Sequence, residues 1–297
     1  MDDSCYKVLR QLNLPYMNLI TLQDFEKDDS ELQGTKHNRT RVEYYFTCTP
    51  SLPLYVFRNY SKVDIITYLD ADLLCFANPE PIYEEFAQHS IAIISHRFSQ
   101  NLKQFEKRGI YNVGYLSFNR NEDAFECLNW WRQKCIEWCY DRVEGVRYAD
   151  QKYLDDWPTR FKGVVVLQHK GVNLAPWNLD NYQIISKDKG LWVDEDPLVF
   201  FHFHGLRKMF KQLYDPNLFP YKARISKIIK NGIFVPYINA LLEVNQKYLS
   251  QSDGSAIPTG IRAGLENASI NRRLWQKIDR ILYNLRILIA GNYIWVK

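Results

Sequence analysis

A chain of 297 residues with 46% hydrophobic and 24% charged residues is long enough to bury a sizeable core, which excludes the disordered and fibrous classes. A net charge of +4 is too mild to argue for nucleic acid as a partner, and no apolar run approaches the roughly 20 residues needed to span a bilayer. Six scattered cysteines and the acidic, polar start Met1-Asp2-Asp3-Ser4 predict a reduced, cytoplasmic protein without a signal peptide. Eight Trp and 20 Tyr fit either a sugar- or nucleotide-binding cleft or a Tyr-rich core.

In chain order, Cys5 to Leu12 reads as a helix and Leu14 to Leu22 as a short strand, followed by a charged loop or lid over 23–40. Residues 41–59 are apolar enough for a helix lying on a sheet, with Pro50 and Pro53 marking a break. Val63 to Leu69 is β-branched and aromatic, which predicts a buried central strand. A helix opens at Pro79-Glu80-Pro81, and strands are predicted at Ile91 to Ser95, Asn112 to Asn119, Val164 to Gln168 and Leu198 to Gly205. Between them, Phe125, Leu128, Trp131, Cys135 and Trp138 have helix spacing. Asn173 to Asn178 is a turn too apolar for solvent, so it is expected to line a cavity or pack under one. The organisation predicted is one α/β domain over 1–250, a linker over 251–270 and a basic amphipathic helical tail over 271–297.

Asp70 and Asp72 stand one residue apart where the strand through Leu69 ends, the sheet edge at which α/β folds bind ligands. Two such acids need a compensating cation, and oxygen ligands suit Mg2+ or Mn2+; a lone Asp-x-Asp on a solvated loop is the bland alternative. His202 and His204 fall on one strand face ahead of Gly205, Arg207 and Lys208, a pattern that favours a metal and phosphate site over a structural histidine. Gly114 sits where close approach of a ligand or of neighbouring backbone is expected. Asp150 opens a polar-to-apolar segment, either as a functional acid or as a simple helix cap. No glycine-rich phosphate loop is present, so phosphates, if bound, fall to metal and side chains. The tail stripe Leu274, Ile278, Ile281, Leu285 and Leu288, among basic residues, suits either a membrane interface or docking on its own domain.

These motifs, in order, resemble those of the GT-A glycosyltransferases, most nearly the family 8 group of glycogenin and the bacterial lipopolysaccharide glucosyl- and galactosyltransferases. The resemblance rests on Tyr68-Leu69-Asp70-Ala71-Asp72, Tyr111-Asn112-Val113-Gly114, Asp150-Gln151 and His202-Phe203-His204-Gly205-Leu206-Arg207-Lys208, and covers residues 36–210 or thereabouts. It implies a GT-A fold with a mixed, mainly parallel sheet flanked by helices. It places metal ligands on Asp70, Asp72 and His202, and diphosphate contacts on Gly205 and Lys208; Arg207, beside Lys208, is expected to assist. Sugar contacts would fall on Asn112, Gly114, Asp150 and Gln151, the last two being the catalytic candidates.

The function expected is transfer of a sugar from a nucleotide-diphosphate donor, UDP-sugar first, to a saccharide or lipid-linked acceptor in surface polysaccharide synthesis. Mn2+ or Mg2+ would be the cofactor, and the tail would make peripheral contact with the inner face of the cell membrane. Two departures stand against the family pattern. Met209 replaces a proline, and the strand and helix with which the family opens do not precede Met1. The competing expectation is therefore a transferase-like remnant that binds without turnover.

Overall fold

The computed structural model describes residues 3–249 and 270–296. The chain opens with α1 (Asp3–Gln11). The stretch predicted as a strand over 14–22 forms none, and the predicted lid folds instead into two short helices, α2 (Leu22–Glu26) and α3 (Ser30–Thr35). Their starts are local. Thr21 Oγ1 accepts from the Asp24 amide, and Asp29 Oδ1 from the Leu32 amide. Helix α4 (Arg41–Cys48) begins with a capping box, in which the Thr40 amide donates to Glu43 Oε2 at 2.8 Å while the Glu43 amide donates to Thr40 Oγ1. Pro50 separates it from α5 (Ser51–Asn59), as expected of a residue without an amide hydrogen.

The central layer is built from β1 (Ile65–Leu69), β3 (Ile91–Ser95), β4 (Tyr111–Asn119) and β5 (Val164–Val166), with β2 (Leu73–Cys75) and α6 (Glu80–Phe86) between the first two. The sheet order is β1-β4-β3-β5. It is mixed: β1, β3 and β5 share one direction and β4 runs against β1 and β3. Alternation along β3 decides what covers each face. Ile91 and Ile93 meet α5 and α7 (Glu122–Glu137) through Phe57, Leu128, Trp131 and Cys135, whereas Ala92 and Ile94 meet Ile82 and Phe86 of α6. One expectation fails here. β1 is an edge strand, with Ile65 45% and Leu69 46% exposed, because a β-branched run carries no information about how many neighbours it has.

After β4, α7 leads through a 3-10 turn at Lys152–Asp156 into α8 (Trp157–Arg160). Three short strands, β6 (Ile184–Lys187), β7 (Gly190–Val193) and β8 (Asp196–Pro197), form a small antiparallel sheet, and β9 (Phe200–His202) pairs with β2. The last layer joins β10 (Arg207–Phe210), β11 (Leu213–Asp215) and β12 (Ile294–Trp295) under α9 (Val235–Val244) and α10 (Ile270–Ile289). The tail is thus tied to the domain by a strand of its own. α10 docks through Ile287, Tyr283 against Phe219, and Asn284, while Ile281, Leu282, Leu285, Leu288 and Ile289 stay exposed. Residues 251–269 and the side chains of Leu274 and Ile278 lie outside what is described, and with them nearly all of the predicted linker and the start of the stripe.

Trp131 ties the core to the loop before the 3-10 turn: it is fully buried, meets Trp157 edge-on with ring centroids 5.2 Å apart, and donates Nε1–H to the Asp150 carbonyl at 2.8 Å. Trp131→Ala is expected to cost about 3–5 kcal/mol of unfolding free energy in urea titration. A cost below about 1 kcal/mol would refute that packing role.

Candidate metal and sugar site

The site forms where β1 gives out. The Asp70 amide donates to the Gly114 carbonyl at 3.2 Å, and Asp72 then precedes β2, whose first residue Leu73 pairs with His202. The Phe203 amide donates to the Asp72 carbonyl and the His202 amide to Leu174, both at 2.8 Å, so the two strands carry the acids and the imidazole to one point. His202 Nε2 lies 3.0 Å from Asp72 Oδ1 and 3.8 Å from Asp70 Oδ2, and His202 is only 2% exposed.

Gly114 makes room for that ring. A β-carbon there would stand 2.8 Å from His202 Cε1 and 2.6 Å from Asn112 Oδ1. The close approach expected at this glycine is therefore to the buried histidine and the asparagine. It lies in a bulge: Ile93 pairs with Leu116 but Ile94 with Asn112, so β4 carries extra residues between those positions. Bulges re-aim side chains, and this one turns Asn112 toward the site.

The electrostatics follow from burial. Desolvation pushes the Asp70 carboxyl above its ordinary range, with His202 opposing, Asp72 adding, and the Tyr68 hydroxyl donating to Asp70 Oδ1 at 3.0 Å. Burial also opposes the Asp72 carboxylate. There, hydrogen bonding and charge from His202, with His204 assisting, outweigh it and hold the group low. Asp150 is fully enclosed and is pushed up to about 7 by desolvation, against a hydrogen bond from Thr49, with the charge of Asp70 adding. Ala149, just before it, sits at φ 46°, a left-handed geometry that non-glycine residues seldom adopt outside constrained sites.

Behind these acids lies a polar layer. Asn112 Nδ2 donates to Gln151 Oε1 at 3.2 Å and faces His96 Nε2 at 3.3 Å, while Asn112 Oδ1 accepts from Asn173 Nδ2 at 3.3 Å. His96 Nδ1 faces the Ile110 carbonyl at 3.1 Å, and burial pushes its pKa down to about 3, so the ring is neutral. Together these residues line a cavity of about 470 Å3 that contains Asp70, Asn112, Asp150, Gln151, His202 and His204, with Phe98, Phe105, Trp177 and Tyr221 as its aromatic wall. Trp177 fulfils the expectation for the apolar turn at 173–178. Larger hollows of about 630 and 720 Å3 open around α2 and α3 among solvated charges such as Asp24 and Lys27. Volume does not single out the site; the convergence of titratable groups does.

Of the expected residues, Asp72 and Gly114 adjoin the cavity through His202 rather than lining it, and Gly205, Arg207 and Lys208 do not line it. Gly205, at φ 72°, turns the chain against Asn217, whose Nδ2 a β-carbon there would approach to 2.3 Å. Lys208 sits half-buried in β10, paired with Tyr214. Arg207 is engaged within the protein. Its Nε donates to buried Asp215 Oδ2 at 2.9 Å and its Nη2 to Asn284 Oδ1 at 2.6 Å, so a hairpin partner eight residues on and a helix at the far end of the chain hold the cation expected on phosphate. Tyr45, Thr49, Arg108 and Tyr221 also line the cavity and carried no sequence signal, because only the fold brings these separate turns and helices together.

No protein-family model matches the chain. Among solved structures it overlaps the galactosyltransferase LgtC, crystallised in complex with donor and acceptor sugar analogues, at 16% identity over 78% of this chain and 86% of that one; the TM-score of 0.44 is too low to carry an argument. Two proteins of Bacillus subtilis (strain 168) are closer in sequence. "Uncharacterized protein YfnD" is 32% identical over 241 residues, 80% of this chain and 76% of its own, and "Uncharacterized protein YfnF" is 30% identical over 217 residues, 70% of each. The chain belongs to the family of YfnD and YfnF.

Proposed function

We propose that this protein is a metal-dependent GT-A glycosyltransferase that moves a sugar from a nucleotide-diphosphate donor, UDP-sugar first, to a saccharide or lipid-linked acceptor. The observation that carries the reading is that His202 meets both Asp70 and Asp72 at the end of β1, beside a cavity lined by Asp70, His202, Asp150 and Gln151. Carboxylates and an imidazole are donors that suit a divalent cation, and His202 Nε2 lies 3.0 Å from Asp72 and 3.8 Å from Asp70, although Asp70 stands outside the cluster of mutually close ligand atoms and would have to swing inward to share the ion. Such an ion, when bound, offsets charge that develops on a leaving diphosphate. Asp70 and Asp72 supply the negative charge that holds it, and Gly114 leaves the space that lets His202 reach them. Asn112 fixes Gln151, and Asp150, with a carboxyl poised near neutrality, contacts the sugar or the acceptor hydroxyl. Lys208 and the backbone at Gly205 are the diphosphate contacts of this reading.

The exposed apolar stripe of α10 supports a second element, peripheral attachment to the inner face of the cell membrane, where lipid-linked acceptors are built. Ile281, Leu282, Leu285, Leu288 and Ile289 cover one side of the helix, Arg280 and Arg286 are exposed beside them, and the docked side carries Tyr283, Asn284 and Ile287. Among the described residues no helix is long and apolar enough to cross a membrane.

Three outcomes test the reading. UDP release from a panel of UDP-sugars should require Mn2+ or Mg2+ and fall at least about 100-fold in Asp70→Asn, Asp72→Asn and His202→Ala; Gly114→Ala should match them by displacing His202, and unchanged turnover in all four would sink the assignment. Asp150 is held above its ordinary value of about 3.9, so the folded state binds a proton that the unfolded chain has lost between about pH 4 and 7. Its contribution to stability therefore falls as pH rises through that window, by up to about 1.4 kcal/mol per pH unit. Urea titrations of the parent and Asp150→Asn should converge on that slope, and parallel pH profiles would contradict it. Finally, the full chain should co-sediment with anionic liposomes at low salt and be released as salt rises. Leu285→Asp with Ile289→Asp should abolish this without lowering Tm, since both sites are exposed; undiminished sedimentation would leave the stripe without a lipid role.

A further inference from the structure

We propose that His204 is a direct ligand of the cation, so that the site selects a first-row transition ion over magnesium. This rests on the reading of Asp70, Asp72 and His202 as a metal centre and extends it to a residue outside that set. Ligand atoms of Asp72, His202 and His204 all lie within 4.8 Å of one another. Metal–ligand bonds of about 2.0–2.2 Å put opposite corners of an octahedron about 4.4 Å apart, so small side-chain adjustments bring all three onto one ion.

The local fold explains why His204 is there. β9 ends at His202, yet the amide of Phe203 still pairs with the Asp72 carbonyl, so strand alternation runs one step further and returns His204 to the face of His202. The two imidazoles stand 5.9 Å apart at 87°, and both meet the buried Trp177 indole edge-on, at 5.2 and 5.5 Å. The backbone is pinned as well. Asn217 Nδ2 donates to the His204 carbonyl at 3.0 Å, the Asn217 amide donates to Asp215 Oδ1 at 2.8 Å, and Gly205 takes the left-handed turn that packs against Asn217. His204 is exposed, but it stands on a fixed loop beside two carboxylates and a second imidazole.

The consequence is chemical selectivity. Oxygen-only sites suit magnesium, which keeps its waters and tolerates little substitution by nitrogen, whereas imidazole suits transition ions. Two imidazoles with the Asp72 carboxylate, and Asp70 at the border, form a nitrogen-rich set with positions left for diphosphate oxygens.

The test uses the full chain, stripped of metal and titrated with MnCl2, CoCl2 or MgCl2 in the presence of UDP, with bound Mn2+ read by electron paramagnetic resonance. His204→Ala and His204→Gln should weaken Mn2+ and Co2+ binding at least about tenfold while leaving Mg2+ affinity and Tm unchanged. The electron-spin-echo spectrum of bound Mn2+ should report two imidazole nitrogens in the parent, one in either His204 variant and one in His202→Ala. A parent with a single nitrogen, together with unaltered Mn2+ affinity in the His204 variants, overturns the role of His204 and leaves the metal centre standing. A parent that binds no Mn2+ with UDP present overturns both.

Discussion

Two carboxylates one residue apart at the mouth of a cavity repel each other, and Asp70 and Asp72 do so while partly withdrawn from water. The structure answers with a single buried imidazole. His202 can reach both acids because β2 and β9 are paired in the register that sets Leu73 against His202, and because position 114 has no side chain. The bulge in β4, the glycine within it and the loop at 173–178 that closes over the histidine are all consequences of housing that ring. Without it, only the Tyr68 hydroxyl would oppose the burial that draws Asp70 up.

Behind the acids many polar groups are paired, although the buried Nδ1 of His202, Nε1 of Trp177 and Oδ1 of Asn173 have no hydrogen-bond partner among the described residues. Asn112 alone engages Gln151, His96, Asn173 and the Gly114 amide. Such a hub is rigid because each partner is itself fixed: Gln151 Nε2 donates to the Arg108 carbonyl, and Asn178 Nδ2 donates to the carbonyls of His96 and Asn173. A polar layer of this kind holds the cavity wall in one geometry while the aromatic residues opposite it present apolar faces.

Much of this was legible where the signal was local. The acid pair, the paired histidines, the proline break and the apolar turn at Trp177 are read from a few neighbouring residues, and the structure puts them where those residues imply. The helix caps at Thr21, Asp29 and Thr40 were equally local, yet the charge of the stretch concealed them and suggested a lid. What failed was non-local. The β-branched run of β1 reads alike at an edge and in a centre, and 14–22 has strand composition but gains no partner. The partners that Arg207 meets, Asp215 and Asn284, were equally invisible, since they are joined to it only by the hairpin and by the return of α10. In α10 the stripe was visible, but helical periodicity cannot say which face a domain accepts, and the domain accepted the other one.

The route from Asn284 through Arg207, Asp215 and Asn217 to the carbonyl of His204 is an unbroken run of hydrogen bonds from the last helix to the rim of the cavity. β12 reinforces it by pairing with β11, the strand that carries Asp215. Cutting away the C-terminal segment would therefore remove more than an appendage. Arg207 would lose one of its two acceptors, Asp215 would keep a looser counter-ion in a nearly water-free setting, and the turn under His204 would lose its footing. The end of the chain acts as a guy-rope for the loop beside the chemistry, and tension or slack at one end is felt at the other.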